Sequence, residues 1–83
     1  MERKILLTHC SDAPGLIAKI TNICYKHQLN IIHNNEFVDN TSGHFFMRTE
    51  LEGYFNDHTL LQDLELALPN GASKKLIDSS KKK

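Results

Sequence analysis

The sequence predicts an α+β fold in which four antiparallel strands form one sheet and two helices cover one of its faces. Apolar residues follow the order strand, helix, strand, strand, helix, strand along the chain. A short polar turn joins the second strand to the third, as in an antiparallel hairpin. The length of 83 residues and the hydrophobic content of 40% suit a single globular domain.

The first strand is predicted over residues 4–10, and a turn follows over residues 11–14. Three consecutive apolar residues at 5–7 give this strand two apolar faces, which is typical of a central strand. We expect Asp12 to cap the following helix and Pro14 to occupy its first turn. The apolar stripe of that helix recurs at three- and four-residue steps and comprises Leu16, Ile17, Ile20, Ile23 and Cys24.

A hairpin is predicted from a second strand over residues 29–38 and a third over residues 44–51, joined by turn-forming residues. Asn34 and Asn35 are poor strand formers, so they indicate a bulge, an edge strand or a place where side-chain amides bind a ligand. Alternate residues of a strand share a face. One face of the third strand carries Phe45, Met47, Thr49 and Leu51, and the other carries Phe46, Arg48 and Glu50.

The second helix is predicted to begin at a cap formed by Asn56 or Asp57 and to end at the Pro-Asn-Gly run of residues 69–71. Its apolar stripe comprises Leu60, Leu61, Leu64 and Leu68. A weak last strand over residues 73–77 carries lysines, which are typical of a sheet edge. This order of elements is the ferredoxin-like, split βαβ arrangement.

Composition excludes several classes of function. Residues 1–73 hold five basic and nine acidic residues, a net charge of −4, so this part of the chain lacks the basic face that nucleic-acid binding requires. The sequence has neither an apolar run of about 18 residues nor a signal peptide, so we expect a cytoplasmic protein with no membrane partner. Cys10 and Cys24 lie in apolar-periodic segments and are predicted to be buried free thiols.

The sequence predicts no catalytic residues, no metal site and no cofactor within these 83 residues. The five histidines are scattered, and neither cysteine belongs to a CxxC pair. No P-loop, nucleophile elbow or dinucleotide fingerprint is present. The open face of the sheet, which carries Phe46 or Ile32, instead predicts self-association into a homodimer or higher homo-oligomer through the sheet.

The strand-to-helix loop resembles that of ACT domains, a family of small-molecule-sensing modules with the same βαββαβ order. The resemblance rests on Asp12-x-Pro14-Gly15-Leu16-Ile17, a helix, and then Leu29-Asn30-Ile31 at the start of the next strand. It covers residues 3–78. Longer and more specific runs resemble the N-terminal segment of bacterial formyltetrahydrofolate deformylases, namely residues 20–27, 34–39 and 45–53.

The resemblance implies a regulatory role. In deformylases an ACT segment precedes a larger domain that hydrolyses 10-formyltetrahydrofolate to tetrahydrofolate and formate, in purine and one-carbon metabolism. Nothing here matches the catalytic residues of that larger domain, so whether this polypeptide belongs to an enzyme stays open. We expect residues 1–80 to form the regulatory domain, and residues 81–83 to form a basic tail or the start of a linker to a catalytic domain. The alternative is a free-standing ACT protein that acts as a purely structural dimerisation or regulatory module.

ACT domains commonly bind amino acids between the strand-to-helix loop of one subunit and strand residues of its neighbour. The resemblance implies a glycine- or methionine-type effector. The candidate ligand-binding residues are Asp12, Ala13, Pro14, Gly15 and Leu16 in the loop, with Asn30 and Ile31 from the neighbouring subunit. Asn34 and Asn35 are added because their amides can bind polar groups. A helix N-terminus suits the α-carboxylate of such a ligand. Taken alone, the short Asp-x-Pro-Gly pattern favours an ordinary strand-to-helix turn over a ligand site.

Overall fold

A computed structural model describes residues 2–78 and contains the predicted order of elements. These elements are β1 (Glu2–Ser11), α1 (Leu16–Lys26), β2 (Asn30–Asp39), β3 (His44–Gly53), α2 (Asp57–Ala67) and β4 (Ser73–Asp78). The strands form one antiparallel sheet in the order β2-β3-β1-β4, so β1 and β3 are central and β2 and β4 lie at the edges. The ferredoxin-like fold class and the central and edge positions of β1 and β4 are confirmed.

The hydrophobic core lies between the helices and one face of the sheet. In β3 the predicted alternation is confirmed, because every second side chain from Phe45 to Leu51 is buried. The helices contribute the predicted stripes, with one exception: Ile17 is 40% exposed. The fully or nearly buried apolar residues are Leu6, Cys10, Leu16, Ile20, Ile23, Cys24, Leu29, Phe45, Met47, Leu51, Leu60, Leu64 and Leu68. Cys10 and Cys24 are buried free thiols, as predicted.

The start of α1 differs from the prediction. Asp12 does not cap the helix and Pro14 is not in its first turn, because the helix begins at Leu16 and its N-cap is Gly15. The Asp12 backbone N–H instead donates to the Gly43 carbonyl at 2.9 Å, which holds the chain beside the β2–β3 turn. The chain then reaches the helix through Gly15 at φ 78°, a left-handed conformation that glycine adopts without a Cβ clash. Residues 12–15 therefore form a loop of their own rather than a cap.

The second helix is capped as predicted. Of the two candidates, Asn56 is the cap, and its Oδ1 accepts a hydrogen bond of 3.2 Å from the Thr59 backbone N–H. The helix ends at Ala67, before Pro69. No helix among residues 2–78 is long and apolar enough to span a membrane.

Strand β2 is both an edge strand and an irregular one. Its register against β3 shifts between Ile31 and His33, so Ile32 lies at a bulge. The two asparagines follow this bulge on opposite faces. Asn34 pairs with the buried Thr49, and Asn35 pairs with Arg48 on the open face. Of the two residues named for the open face, Phe46 lies on it, whereas Ile32 occupies the bulge.

Candidate functional site

The loop between β1 and α1 lies over a cleft of about 210 Å³ at one edge of the sheet. In the sheet, β3 lies between β1 and β2, and the end of β1 that leads into the loop is level with the Asp39 end of β2. Strand β2, helix α1 and the loop therefore form the cleft together. The lining residues are Asp12, Ala13, Gly15, Leu16, Ile17, Ala18, Glu36, Val38 and Phe45. The cleft also explains the exposure of Ile17, which lines it instead of packing in the core.

One end of the cleft has positive electrostatic character. The first backbone N–H groups of a helix have no partner within the helix, and its dipole is positive at that end. Here the N-cap residue is Gly15, which offers no side-chain acceptor, and the first turn contains no acidic residue. The first helical hydrogen bond runs from the Lys19 N–H to the Gly15 carbonyl at 3.0 Å. The N-terminus of α1 can therefore accept a carboxylate from a ligand.

The opposite wall of the cleft carries a carboxylate held in place. Glu36 pairs with Met47 across the sheet and so lies on the helix-covered face of β2. Its Oε1 accepts a hydrogen bond of 2.8 Å from the Asn34 amide. The Oδ1 of Asn34 in turn accepts from the Thr49 hydroxyl at 2.8 Å. A buried residue of a central strand thus orients an acidic group at the edge of the sheet.

The structure brings together only some of the predicted binding residues. Asp12, Ala13, Gly15 and Leu16 line the cleft, and Pro14 lies in the same loop. Asn30 and Ile31 are at the far end of β2, eight residues or about 26 Å from the Val38 end in an extended strand. Asn34 reaches the cleft through Glu36, and Asn35 lies on the open face of the sheet.

Sequence reasoning missed Glu36 and Val38. The available signal was the two-residue period of β2, since Asn34, Glu36 and Val38 alternate onto one face. This period shows which residues share a face of β2. It does not show which face of an edge strand lies towards the loop.

The open face of the sheet holds a second groove, of about 370 Å³. Aromatic rings form one end of it: His9 stacks on Phe46 at a centroid distance of 4.5 Å, and Phe37 lies 6.1 Å from Phe46. The His9 Nε2 and His44 Nδ1 atoms are 2.9 Å apart and share a hydrogen bond. Arg48 and Lys75 line the rest of the groove with Leu7, Asn35 and Ser73.

Neither thiol is suited to nucleophilic chemistry. Burial raises the pKa of Cys24 to about 11, and burial together with nearby Asp12 raises that of Cys10. Both are therefore protonated at neutral pH, whereas a reactive cysteine needs its thiolate. Within residues 2–78, no three or more His, Cys, Asp or Glu side chains are grouped to hold a metal ion.

Comparison with known proteins places this geometry in a family. A family model described as the ACT domain matches residues 4–65, which is most of the chain. The chain belongs to the ACT domain family. An ACT domain protein from Streptococcus pneumoniae has the same fold, with a TM-score of 0.74 and 17% identity over 95% of this chain and 91% of that one.

More similar sequences are found in longer proteins. The chain is 65% identical over its full length to the N-terminal region of a formyltetrahydrofolate deformylase from Haemophilus influenzae, and it spans 30% of the length of that protein. A crystal structure of a formyltetrahydrofolate deformylase from Burkholderia mallei superposes with a TM-score of 0.84 and 19% identity. That match covers 94% of this chain and 28% of the deformylase, and it concerns the fold alone. The ACT regulatory domain described here is thus homologous to the N-terminus of formyltetrahydrofolate deformylase, as the sequence identity to the Haemophilus influenzae protein shows.

Proposed function

We propose that this ACT domain is the amino-acid-sensing part of a formyltetrahydrofolate deformylase and works in the cytoplasm. In this proposal a separate catalytic domain of the whole protein hydrolyses 10-formyltetrahydrofolate to tetrahydrofolate and formate. The support is the 65% identity to the Haemophilus influenzae deformylase across the whole of this domain.

The effector in this proposal is a small amino acid of the glycine or methionine type, bound in the cleft under the β1–α1 loop. A free amino acid carries an α-carboxylate and an α-ammonium group. The N-terminus of α1 offers backbone N–H groups to the carboxylate, and the Glu36 carboxylate on the facing wall offers an acceptor to the ammonium. The presence of these two opposite charges across one small cleft is the observation that carries the proposal.

The edge position of β2 supports a contribution from a neighbouring subunit. An edge strand presents unpaired backbone groups that can pair with another chain. If β2 pairs antiparallel with its copy about a two-fold axis near Asn34, residue 38 of one subunit lies opposite residue 30 of the other. Asn30 and Ile31 would then reach the partner's cleft, although they are about 26 Å from the cleft of their own subunit. The two groups of predicted binding residues would thereby meet across a dimer.

Ligand-dependent stability tests this proposal. Thermal unfolding of the chain would be followed with glycine, methionine and serine, each over a wide concentration range. A ligand that binds only the folded state adds roughly 2.7 kcal/mol at 100 times its Kd, so a rise in the unfolding midpoint that follows the logarithm of concentration is expected. Glycine methyl ester, which keeps the amino group of glycine but has no carboxylate, is the matched control and should leave the midpoint unchanged.

A midpoint that does not move with any of the three amino acids would contradict amino-acid sensing. That result would favour the second candidate function, a structural module that only joins subunits. The exposed aromatic residues of the open sheet face support this second candidate, since Phe37 is 63% exposed and Phe46 is 38% exposed.

A further inference from the structure

The groove on the open face of the sheet places aromatic rings beside cations. Residues directly opposite each other in an antiparallel sheet share a face and form rows across the strands. Two neighbouring rows line the groove, and they lie about 7 Å apart along the strands. The aromatic row comprises Phe37, Phe46 and His9, and the basic row comprises Arg48, Leu7 and Lys75. The groove therefore has an aromatic side and a cationic side.

The rings on the aromatic side are held in place by their neighbours. The His9 ring is parallel to the Phe46 ring, with 6° between the two planes, and the His44 ring fixes His9 through the hydrogen bond described above. Phe46 and Phe37 nevertheless stay exposed to solvent. An aromatic surface that is already ordered can contact another ring with little further loss of side-chain entropy.

The two cations of the basic row have no ion-pair partner among residues 2–78. Arg48 and Lys75 are both exposed and lie on either side of Leu7, with their Cα atoms about 10 Å apart across β1. Other cations of the same sheet do have partners: Arg3 lies 3.5 Å from Glu52, and Lys74 pairs with Glu65 on the helix side. The long side chains of Arg48 and Lys75 are therefore free to converge on one anion above Leu7.

We propose that this groove binds a small aromatic carboxylate, with its ring against Phe46 and Phe37 and its carboxylate between Arg48 and Lys75. The guanidinium group of Arg48 can donate two parallel hydrogen bonds to a carboxylate, and Lys75 adds a second positive charge. A volume of about 370 Å³ suits a ligand with one ring and a short arm. Such a ligand gives the exposed rings and the unpaired cations a common partner.

The charges around the groove favour a singly charged carboxylate over a phosphate dianion. Glu50 lies on the same face of β3, one row beyond Arg48, and it repels a dianion more strongly than a monoanion. The groove is also separate from the amino-acid cleft, which lies on the helix-covered side of the sheet. This ligand needs no ammonium group, so the inference does not rest on the proposed amino-acid sensing.

NMR titration of the 83-residue chain with N-benzoylglycine tests the proposal. This probe joins a benzene ring to a carboxylate through a short arm, and a ligand of its size is expected to bind with a Kd of about 1 mM. Saturable shifts of backbone amide resonances should centre on the rows of Phe46 and Arg48. N-Benzoylglycinamide keeps the ring without the charge, and N-acetylglycine keeps the carboxylate without the ring. Each of these matched compounds should bind about tenfold or more weakly.

Substitutions locate the carboxylate. Arg48→Gln should weaken binding of N-benzoylglycine by about tenfold, and Lys75→Gln, which removes a more mobile charge, by about threefold. Lys74→Gln is the matched control, because it makes the same chemical change at the adjacent residue, whose side chain faces α2. Its affinity for the probe should equal that of wild type. The dispersion of the amide resonances shows that each variant is folded.

Three results would overturn the proposal: no saturable shift up to about 10 mM probe, equal binding of N-benzoylglycinamide, or equal affinities in Lys75→Gln and Lys74→Gln. Shifts that centre on the N-terminus of α1 would also overturn it, because the probe's carboxylate would then be bound in the amino-acid cleft. The amino-acid-dependent rise in unfolding midpoint should persist in Arg48→Gln, since that cleft is on the other side of the sheet. Failure of this site and failure of amino-acid sensing are therefore separate results.

Discussion

Thr49 and Asn34 connect the core to the edge of the sheet. The Thr49 hydroxyl, fully buried on the helix side of β3, donates a hydrogen bond of 2.8 Å to the Asn34 Oδ1. Asn34 passes the constraint on by donating to Glu36 at the cleft, also at 2.8 Å. These two consecutive side-chain hydrogen bonds fix the orientation of the Asn34 amide and, through it, the position of the acidic group. Asn34, a poor strand former, is thus accounted for by the carboxylate that it positions.

Replacing Thr49 by valine should destabilise the domain by about 1 kcal/mol, because the Asn34 Oδ1 loses its donor while the shape of the side chain is kept. Urea denaturation of the two proteins measures the difference. Thr8→Val is the matched control, since Thr8 is equally buried on the neighbouring strand but its hydroxyl has no hydrogen-bond partner among residues 2–78. This second change should be neutral or stabilising. Equal effects of the two substitutions would contradict a stabilising series of hydrogen bonds from Thr49 through Asn34 to Glu36.

Glu36 should be more important to effector binding than to folding. In Glu36→Gln the side chain keeps its size and can still accept from Asn34, but it loses the negative charge that faces the ligand's ammonium group. A charged hydrogen bond contributes about 1.5–3 kcal/mol, so calorimetric titration should show an affinity for the amino acid roughly 10- to 150-fold lower. Glu52→Gln, at the far end of the sheet, should bind normally. Equal affinity in wild type and Glu36→Gln would place the ammonium group elsewhere.

The order and type of the elements could be predicted from the sequence because the apolar periods are strong. Helix α1 repeats at three and four residues, and β3 alternates without interruption. The start of α1 could not be predicted in this way. Asp12 satisfies the local preference for an N-cap, but a long-range hydrogen bond from its N–H to Gly43 determines the path of the chain. Capping preference is a local property, and here a tertiary contact overrode it.

The candidate site was only half accessible to sequence reasoning. The loop residues were predicted from the family resemblance, and the expected helix N-terminus with its bare glycine backbone supported that prediction. Glu36 was not found, since its role depends on β2 lying at the edge beside the loop, which is a matter of strand order. Asn30 and Ile31 were predicted from the family resemblance. They lie far from the loop within one subunit, so no pattern in a single chain would have grouped them with the loop residues.

Gly15 offers a test that separates strain from binding. Gly15→Val introduces a β-branched side chain at φ 78°, which costs roughly 1–2 kcal/mol, but the added Cβ would meet no atom within 4 Å, so the domain should still fold. Thermal unfolding should then show a lower midpoint and no response to amino acid, because the side chain enters the cleft.

Gly71→Val is its matched control. Gly71 has φ 83°, and a Cβ there also meets nothing within 4 Å, but the residue lies between α2 and β4 and does not line the cleft. Its stability cost should be similar, with the full amino-acid response retained. If both variants responded to the amino acid as wild type does, the ligand site could not lie beside Gly15.

Alkaline pH should weaken the fold through Cys24. Its pKa is about 11 in the folded domain and 9.0 in an unperturbed cysteine, because burial penalises the thiolate. The folded state therefore holds a proton between these values that the unfolded state releases. The resulting stabilisation is complete below pH 9 and is lost as pH rises through about 11, on the order of 2 to 3 kcal/mol in total. Urea denaturation at intervals from pH 8 to about 11 measures this loss.

Cys24→Ala isolates that contribution. The variant should be less stable at pH 8, because it leaves a small cavity in the core, but its stability should fall less steeply above pH 9. A residual fall is expected in both proteins. It begins above about pH 9, because burial also raises the pKa of Cys10, and it continues above about pH 10.5, because the hydrogen bond to Asp57 raises the pKa of Lys4 and deprotonation of the lysine removes the bond. Parallel pH profiles for the two proteins would mean that the Cys24 thiol ionises as readily in the folded domain as in the unfolded chain.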